Sequence, residues 1–291
     1  MQVRNVLTKI VPDEVYIQLL YFKHFGRFAN LNHPKTFNEK LQWLKLHYRK
    51  SEMTTMVDKH LVKEYVSNLI GKQYIIPTLG VWNNAENIDF TLLPDQFVLK
   101  WNHDSGSVVI CKNKKVFDSG KAVQLLAGRE KHNGYNYGRE WPYKNVSPVI
   151  IAEPYMEDFV GKGELTDYKL HFFSGKCKAI MVGKNRFGEN GLEDDFYDLD
   201  WNHFDFSRGY SRNTSQLTEK PYQLEEMVRI GTVLAKDFPF VRVDFYIISG
   251  KVFFGEITFY PSSGFGRFHP DTWDKTFGDW INLPELYEEK R

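Results

Sequence analysis

The sequence predicts an α+β protein, in which strand hairpins are interleaved with helices. Helical periodicity dominates the opening part, short β-rich runs follow from about Tyr74 onward, and several of these runs are joined by short glycine-containing turns. Apolar residues make up 42% of the 291 residues and charged residues 26%. These are ordinary values for a globular chain that is long enough to bury a sizeable core.

Two helices are predicted before the first strand. In PKTFNEKLQWLKLH, Thr36 and Glu39 form a capping-box pair, and apolar residues follow at helical spacing. A second helix is predicted from Val57 to Ile70, with Gly71 at the position of a C-terminal cap.

The later part of the chain contains the predicted strands. They are Phe97–Trp101, Val108–Cys111, Val149–Tyr155, Tyr168–Phe173, Lys178–Val182, Val241–Ile248 and Val252–Phe259. A third amphipathic helix, LEEMVRIGTVLAKDF, follows Pro221. We expect a boundary between two lobes near Pro154.

Charge and hydropathy exclude several classes of protein. The formal net charge of +1 provides no basic footprint for nucleic acid or for an anionic membrane. No segment has the pattern of a signal peptide or a membrane span, so we expect a cytoplasmic protein. Cys111 and Cys177 cannot form a disulfide framework and lack metal-ligand spacing, so both are expected to be reduced.

Lys100 lies near the end of an apolar strand, before a small glycine-containing loop. That loop consists of Asp104, Ser105, Gly106 and Ser107. Because the chain contains no GxxxxGK[ST] motif, this loop is the candidate for holding a triphosphate, with the lysine adding charge and the backbone N–H groups contacting phosphates. An exposed lysine before an ordinary hairpin turn explains the same residues equally well.

The most informative motif is a predicted hairpin near the C-terminus, VRVDFYII-SGK-VFFGEITF. If three residues centred on Gly250 connect its strands, Asp244 faces Glu256 and Arg242 faces Thr258, all on one side of the sheet. Two opposed carboxylates repel each other unless a cation lies between them. The pair is therefore a candidate Mg²⁺ site, since this ion prefers carboxylate, phosphate and water oxygens.

The metal-site interpretation of this hairpin has an alternative, and it depends on the length of the connection between the strands. Arg242 would compensate the two carboxylates without a metal, and a two-residue connection would break the pairing. The opposite, core-facing side is predicted to consist of Val241, Val243, Phe245, Phe253 and Ile257.

Two further positions carry candidate nucleotide ligands. Asp167, Lys169 and His171 share one strand face; the carboxylate is suited to ribose hydroxyls and the lysine to phosphate, although a solvated hairpin face is the better interpretation of this strand by itself. Glu153 ends the run VIIAE and is a candidate hinge residue between lobes, with a simple strand end as the alternative.

Asp198 and Asp200 support a competing hypothesis. An Asp-x-Asp triplet holds a metal and a sugar diphosphate in many glycosyltransferases. Here the triplet lies in the acidic stretch LEDDFYDLDWN, no nucleotide-sugar domain precedes it, and acidic residues at this spacing often arise by chance.

The lysine, the loop, the glutamate and the acidic hairpin occur in the order seen in ATP-grasp enzymes, which this chain resembles. The segment VDKHLVKEYVSNLIGKQYIIPTLGVW resembles the Asp-Lys helix of that superfamily. The resemblance implies that Lys59 and Lys100 bind nucleotide and that Arg242, with Lys100, stabilises the reacting groups. It further implies a phosphate loop at Asp104–Ser107, an adenine hinge at Glu153, Tyr155 and Met156, nucleotide ligands Asp167 and Lys169, and metal ligands Asp244, Glu256 and Thr258.

Longer segments between about Pro34 and Leu283 narrow the resemblance. PKTFNEKLQWLK, LPDQFVLKWNHDSGSV, REWPYKNV, IIAEPYMED and FPFVRVDFYIISGKVFFGEITFYPSSGF resemble the teichuronopeptide-biosynthesis (TupA-like) ATP-grasp family. Its members are associated with capsular and other cell-surface polysaccharide synthesis. The chain departs from many ATP-grasp enzymes in having Thr258 where they have the asparagine of Glu-x-Asn, and in having a short helical region where they have a full N-terminal substrate domain.

The resemblance implies an ATP-grasp fold, with two α+β lobes that clamp the nucleotide and a short, mostly helical N-terminal region. We expect a helical region at 1–95, a lid lobe with the phosphate loop at 96–155, and a catalytic lobe with the metal-binding hairpin at 156–291. The implied cofactors are ATP and Mg²⁺.

The implied activity is that of an ADP-forming carboxylate-amine ligase, which makes an amide through an acyl phosphate. A uronic acid and an amino acid or other amine are the implied substrates, and peripheral association with polysaccharide-assembly enzymes is left open. Two alternatives stay open as well: a glycosyltransferase that uses Asp198 and Asp200, and a non-catalytic binding module.

Overall fold

The computed structural model describes residues 11–157, 165–184, 193–209, 212 and 217–285. The chain divides into two compact units, one formed by Met1–Arg49 with Asp158–Arg291 and the other by Lys50–Glu157. The second unit thus contains the predicted lid segment and, in addition, residues 50–95. None of the helices in the described ranges is long and apolar enough to cross a membrane.

Helices and antiparallel strands alternate along the described chain. The helices are α1 (Asp13–Phe25), α2 (Phe37–His47), α3 (Glu52–Val57), α4 (Leu61–Ile70), α5 (Ser119–Leu126), α6 (Gly134–Gly138), α7 (Leu224–Ala235) and α8 (Thr272–Asp279). The strands are β1 (Gly80–Trp82), β2 (Phe97–Trp101), β3 (Val108–Cys111), β4 (Ile150–Pro154), β5 (Asp167–Phe173), β6 (Lys176–Lys184), β7 (Glu193–Tyr197), β8 (Ser207–Arg208), β9 (Phe240–Ile248), β10 (Lys251–Thr258) and β11 (Phe268–His269).

The first unit is built on a five-stranded antiparallel sheet in the order β10-β9-β5-β6-β7, against which α7 packs. Aromatic side chains fill much of its core. Phe37, at the start of α2, lies 4.9 Å from the ring of Phe240 and 5.6 Å from that of Phe277. Because such rings bury large apolar areas, α2 is part of this unit although it precedes the sheet by more than a hundred residues.

The second unit is built on a four-stranded antiparallel sheet in the order β1-β4-β2-β3. Alternate residues of β2, namely Phe97, Leu99 and Trp101, point into a core that α5 helps to enclose. The predicted runs Phe97–Trp101 and Val108–Cys111 are confirmed as strands. Both cysteines of the chain are buried and free, as expected.

The capping box at the start of α2 is confirmed. The Glu39 backbone N–H donates to the Thr36 hydroxyl at 3.3 Å, and the Thr36 backbone N–H donates to the Glu39 carboxylate at 3.2 Å. Such a reciprocal pair satisfies two of the amide groups that a helix end leaves without a partner.

The prediction of one helix from Val57 to Ile70 is wrong at its beginning. Helix α3 ends at Val57, and Asp58 is extended, with φ −77° and ψ 110°. The Asp58 carboxylate accepts hydrogen bonds from the backbone N–H groups of His60 (2.8 Å) and Leu61 (3.2 Å). An aspartate competes for backbone groups in this way, so it separates two short helices that share one apolar pattern.

The connection between β9 and β10 differs from the prediction, yet the predicted pairing is confirmed. Only Ser249 and Gly250 form the turn, and both have a left-handed φ, of 49° and 76°, which glycine accepts more easily than serine does. A β-bulge at Gly255 then adds the residue that the shorter turn lacks. Asp244 therefore pairs with Glu256, and Arg242 pairs with Thr258.

The bulge also explains an error in the predicted core face. Val241, Val243, Phe245 and Ile257 are buried as predicted, but Phe253 is only partly buried. Because one extra residue shifts the alternation of side chains, Val252 and Phe254 take the core positions between the bulge and the turn.

Candidate functional site

A cluster of charged side chains lies on one face of the sheet in the first unit, with Arg242 at its centre. Arg242 Nε donates to Asp244 Oδ1 at 2.7 Å, and Arg242 Nη2 donates to Asp244 Oδ2 at 2.8 Å. The same Nη2 lies 2.9 Å from Glu256 Oε1 and 3.1 Å from Thr258 Oγ1. The hairpin thus brings together all four residues that the sequence predicts to share a face.

Strand β5 completes this cluster, because Lys169 pairs with Asp244 across the neighbouring strands. Lys169 Nζ lies 3.2 Å from Asp244 Oδ2 and 2.8 Å from Asp167 Oδ2. The prediction of a solvated hairpin face is wrong for this strand, since Asp167 and Lys169 are both buried in the middle of the sheet. We call the six residues Asp167, Lys169, Arg242, Asp244, Glu256 and Thr258 the hairpin cluster.

Burial and mutual attraction set the protonation of the hairpin cluster. Burial lowers the pKa of Arg242, but Asp244 and Glu256 outweigh this effect and raise the pKa above its ordinary value. Burial likewise lowers the pKa of Lys169, and Asp244 and Asp167 again reverse the shift. Arg242 and Lys169 therefore both stay charged at neutral pH. A charged Arg242 is what the alternative to a metal site requires, namely that this arginine compensates the two carboxylates.

The hairpin cluster also offers a set of hard oxygen donors. Glu256 keeps 37% of its side chain exposed, whereas Asp244 keeps 2%. Two carboxylates and the Thr258 hydroxyl suit Mg²⁺, which completes its coordination with water and phosphate. The described part of the chain holds no group of three or more His, Cys, Asp or Glu side chains arranged around a metal position. The fit to Mg²⁺ therefore rests on the chemistry of these oxygen donors. To bind the ion, Asp244 would give up hydrogen bonds to Arg242 and Lys169.

His171, next along the same face of β5, is a buried neutral imidazole. Complete burial, reinforced by the charges of Arg242 and Arg208, holds the pKa of His171 well below its usual value. Its Nδ1 donates to the Lys169 carbonyl oxygen at 3.0 Å, which fixes the tautomer. His171 is thus part of the sheet's interior and supports the Lys169 backbone.

A second cluster lies in the other unit, where Glu153 on β4 is held by two lysines. Lys100 Nζ lies 2.6 Å from Glu153 Oε2, and Lys63 Nζ lies 2.7 Å from Glu153 Oε1. Strands β2 and β4 are neighbours, and Lys63 reaches the carboxylate from α4. Lys100 is therefore not simply an exposed lysine before a turn, and Glu153 is not simply the end of a strand.

The two lysines keep Glu153 ionised in a buried position. Burial raises the pKa of the Glu153 carboxyl, but Lys100 and Lys63 together reverse this effect and lower the pKa below its ordinary value. Burial also lowers the pKa of Lys63, and Glu153 opposes that shift. Sequence reasoning missed Lys63, because a lysine on an amphipathic helix is usually solvated.

The predicted phosphate loop lies beside Lys59 in this unit. Lys59 Nζ donates to the Asp104 backbone carbonyl at 2.8 Å, so this lysine contacts the loop directly. The Ser107 hydroxyl donates to the Asp104 carboxylate, and Gly106 has a left-handed φ of 102°. Glycine accepts that conformation without strain.

Tyr155 and Met156, the predicted hinge residues, directly follow β4. Both are partly buried, and Lys112 Nζ lies 5.2 Å from the centre of the Tyr155 ring. The Tyr155 backbone N–H donates to the Gln96 carbonyl at 3.5 Å, which extends the pairing of β2 and β4 by a residue.

Asp198 and Asp200 lie in a turn of the first unit. Both carboxylate oxygens of Asp198 accept hydrogen bonds from Asn202, one from its backbone N–H (2.8 Å) and one from its side chain (2.9 Å). Asp200 is exposed. The contacts of Asp198 are those of a turn-forming aspartate, so nothing in this geometry favours the glycosyltransferase alternative.

Two mixed helix-and-sheet units, each with a cluster of paired charges, are what the resemblance to the ATP-grasp class leads us to expect. A family model described as TupA-like ATPgrasp matches residues 39–282, and the chain belongs to this family. Membership confirms the predicted family, the predicted ATP-grasp fold and the prediction of an enzyme of the ATP-grasp type. No curated protein matches the chain in sequence.

Solved structures similar in fold include three bacterial ligases and synthetases. The D-alanine–D-alanine ligase from Helicobacter pylori is 17% identical, with 85% of this chain and 70% of that chain covered and a TM-score of 0.43. N5-carboxyaminoimidazole synthetase from Staphylococcus aureus is 15% identical, with 80% and 54% covered and a TM-score of 0.41. The D-alanine–D-alanine ligase from Bacillus anthracis in complex with ATP is 17% identical, with 78% and 65% covered and a TM-score of 0.43.

The chain therefore spans about half the length of the synthetase and about two thirds of that of the Bacillus ligase. Since all three TM-scores are below 0.5, the fold assignment rests on the family match.

Proposed function

We propose that this protein is a Mg²⁺- and ATP-dependent carboxylate-amine ligase that forms an amide through an acyl phosphate. The observation that carries the proposal is the hairpin cluster, in which Asp244 faces Glu256 with Arg242 between them, in a chain of the TupA-like ATP-grasp family. This arrangement supports phosphoryl transfer, because catalysis of that reaction depends on positioning and on the stabilisation of charge.

In the first unit, Asp244 and Glu256, with the Thr258 hydroxyl, are the proposed Mg²⁺ ligands. The ion would neutralise phosphate charge when bound. Arg242 would then be released from part of its contact with Asp244 and would stabilise the transferring phosphoryl group and the acid substrate. Burial raises the pKa of the Asp244 carboxyl, and Arg242 and Lys169 oppose this effect. Asp167 is proposed to contact the nucleotide.

In the second unit, Lys59 and Lys100 are proposed to bind nucleotide phosphates, together with backbone N–H groups of the Asp104–Ser107 loop. Glu153 holds Lys100 in place by the ion pair at 2.6 Å. Backbone groups around Tyr155 and Met156 are proposed to contact the adenine, since they directly follow the strand that carries Glu153.

The proposed chemistry has two steps. A carboxylate oxygen of the acid attacks the γ-phosphorus of ATP, the bond to ADP breaks, and an acyl phosphate forms. An amine then attacks the acyl carbon, phosphate leaves with the bonding electron pair, and the amine loses a proton to give the amide. Family membership supports a role in capsular or other cell-surface polysaccharide synthesis, with a uronic acid and an amino acid as the proposed substrates.

The acyl phosphate can be trapped. With ATP, Mg²⁺ and the correct acid, hydroxylamine is expected to replace the amine and give a hydroxamate, together with one ADP for each hydroxamate. A screen of uronic acids and amino acids for ADP release identifies the acid first. Formation of AMP and pyrophosphate, or ADP release without hydroxamate, would contradict the proposed intermediate.

Replacing Lys100 with methionine is expected to weaken ATP binding at least about tenfold, because a hydrogen bond to a charged phosphate is worth roughly 1.5–3 kcal/mol. Calorimetric titration with ADP or a non-hydrolysable ATP analogue measures the change. Lys121→Met, on the exposed surface of α5 in the same unit, is the matched control and should bind as the unmodified protein does. Equal affinities in the two variants would remove Lys100 from the nucleotide site.

A further inference from the structure

A cavity of about 830 Å³ opens on the first unit, and none of its lining residues belongs to the hairpin cluster. Its volume is in the range of sites for small molecules. The residues that matter here are His24, Ser207, Ser262, Phe265, Arg267 and His269. Among the described residues that line it, none is acidic. The lining thus combines two arginines, two histidines, two serine hydroxyls and the ring of Phe265.

One wall of the cavity is a turn in a strained conformation. Ser262 and Ser263 have φ of 50° and 52°, the left-handed region that residues other than glycine seldom adopt. Buried polar side chains of α2 hold this turn: Gln42 Nε2 donates to the Ser263 carbonyl at 3.1 Å and Lys45 Nζ to the same oxygen at 2.8 Å. Strain that the surrounding structure maintains in this way is concentrated at binding and catalytic sites.

Another part of the cavity wall carries positive charge. The Arg267 guanidinium donates through Nε to the His24 carbonyl at 2.8 Å, which orients its planar group, and no described carboxylate lies within ion-pair distance of it. Arg208 lies behind the same wall and is almost completely buried. A Cβ atom on Gly266 would come within 2.9 Å of Arg208 Cζ, so the absence of a side chain there lets this second guanidinium approach the wall.

Arg208 remains a cation in that position. Burial lowers the pKa of Arg208 to about 10, well above neutral pH. Its Nη2 donates to the Pro261 carbonyl at 3.1 Å, which connects it to the turn that contains Ser262. Its charge, which Asp274 and Asp194 partly offset, adds positive potential on this side of the cavity.

We infer that this cavity binds an anionic sugar, with Arg267 contacting its carboxylate or phosphate group and the hydroxyls of Ser207 and Ser262 contacting its hydroxyl groups. The planar fork of an arginine matches both anions. Ser262 follows Thr258 by only four residues, so the segment that leaves the hairpin cluster continues directly into the cavity wall. The inference rests on the proposed ligase function, because it identifies where the acid substrate or its sugar carrier is held.

Calorimetric titration of the full chain with D-glucuronate, D-glucose 1-phosphate and D-glucose tests the inference. At least one charged sugar is expected to bind, with an affinity that falls as salt is added, while glucose binds much more weakly. Arg267→Gln should raise the Kd for the charged sugar at least about tenfold. Arg229→Gln, the same change on the exposed face of α7, should leave the Kd unchanged.

The three sugars also identify the anion, since tighter binding of glucuronate indicates a carboxylate and tighter binding of the sugar phosphate indicates a phosphate. Binding of glucose as tight as that of the charged sugars, no binding of either charged sugar, or an unchanged Kd in folded Arg267→Gln overturns the inference. If circular dichroism shows that Arg267→Gln is unfolded, the salt dependence of the unmodified protein decides, and a Kd that does not change with salt rejects the site.

The proposed function and this inference fail in different ways. Sugar binding without ADP release for any acid contradicts only the ligase activity. ADP release with the same KM for the acid in Arg267→Gln contradicts only the cavity.

Discussion

Replacing Glu256 with glutamine is expected to lower Mg²⁺-dependent ATP turnover about a hundredfold or more while leaving the free energy of unfolding nearly unchanged. The large effect follows because the transferring phosphate loses a carboxylate ligand of the proposed ion. The small effect follows because Glu256 keeps 37% of its side chain exposed, and an ion pair in contact with water contributes about 1 kcal/mol or less. ADP release and urea denaturation measure the two quantities.

Asp244→Asn is the matched isosteric change on the opposite strand, and it should behave differently in the stability measurement. Turnover should again be lost, but the free energy of unfolding should also fall by about 3–5 kcal/mol. Asp244 is only 2% exposed and accepts hydrogen bonds from both Arg242 and Lys169. An amide there would leave two buried cations facing a neutral group.

Full turnover in Glu256→Gln would place the metal ligands elsewhere in the protein. Equal losses of stability in the two amide variants would contradict the difference in burial between the two acids. An acid pair that serves only as a structural ion pair would lose stability in Asp244→Asn and keep its response to Mg²⁺.

Local patterns in the sequence are sufficient to predict several elements of the fold, among them the strand that carries Arg242 and Asp244. The capping box at Thr36 and the alternation along β9 depend on residues a few positions apart, so periodicity identifies them. The pairing of Asp244 with Glu256 was predicted from a three-residue connection, whereas the structure has a two-residue turn and a bulge at Gly255. Both solutions give the same pair, and sequence alone does not distinguish them, because a single glycine in a strand indicates a bulge only weakly.

Contacts between charges on elements that no short turn connects could not be predicted. Lys63 and Glu153 are ninety positions apart, and their ion pair depends on how α4 lies against β4. Similarly, the alternation of β5 identified Lys169, but only the strand order β9-β5 shows that its partner is Asp244. From the sequence alone, Asp244 and Glu256 are equivalent candidate ligands. The expected difference in stability between their amide variants follows from the strand order, which buries Asp244 against Lys169.

Replacing Glu153 with glutamine is expected to lower the free energy of unfolding by about 3 kcal/mol at pH 7. Glu153 has 10% of its side chain exposed and forms ion pairs with Lys63 at 2.7 Å and Lys100 at 2.6 Å. A neutral amide would leave two ammonium groups close together without compensation. Urea denaturation measures the change, and Glu157→Gln is the control in the same unit, since its pair with Lys112 is longer (3.6 Å) and more exposed. The control should lose much less stability than Glu153→Gln.

The pH dependence of the stability difference between the unmodified protein and Glu153→Gln tests whether that difference is electrostatic in origin. Because Lys100 and Lys63 lower the pKa of Glu153 in the folded protein, the carboxylate contributes its full stabilisation above its unfolded pKa of about 4.3. That contribution is lost as the pH falls through the lower folded pKa, since the unfolded chain takes up the proton first. The stability difference between the unmodified protein and Glu153→Gln should therefore be constant between about pH 6 and 7 and narrow below about pH 4. A difference that persists unchanged into acid would show that glutamine disturbs packing, because loss of packing does not depend on the protonation of this carboxyl group.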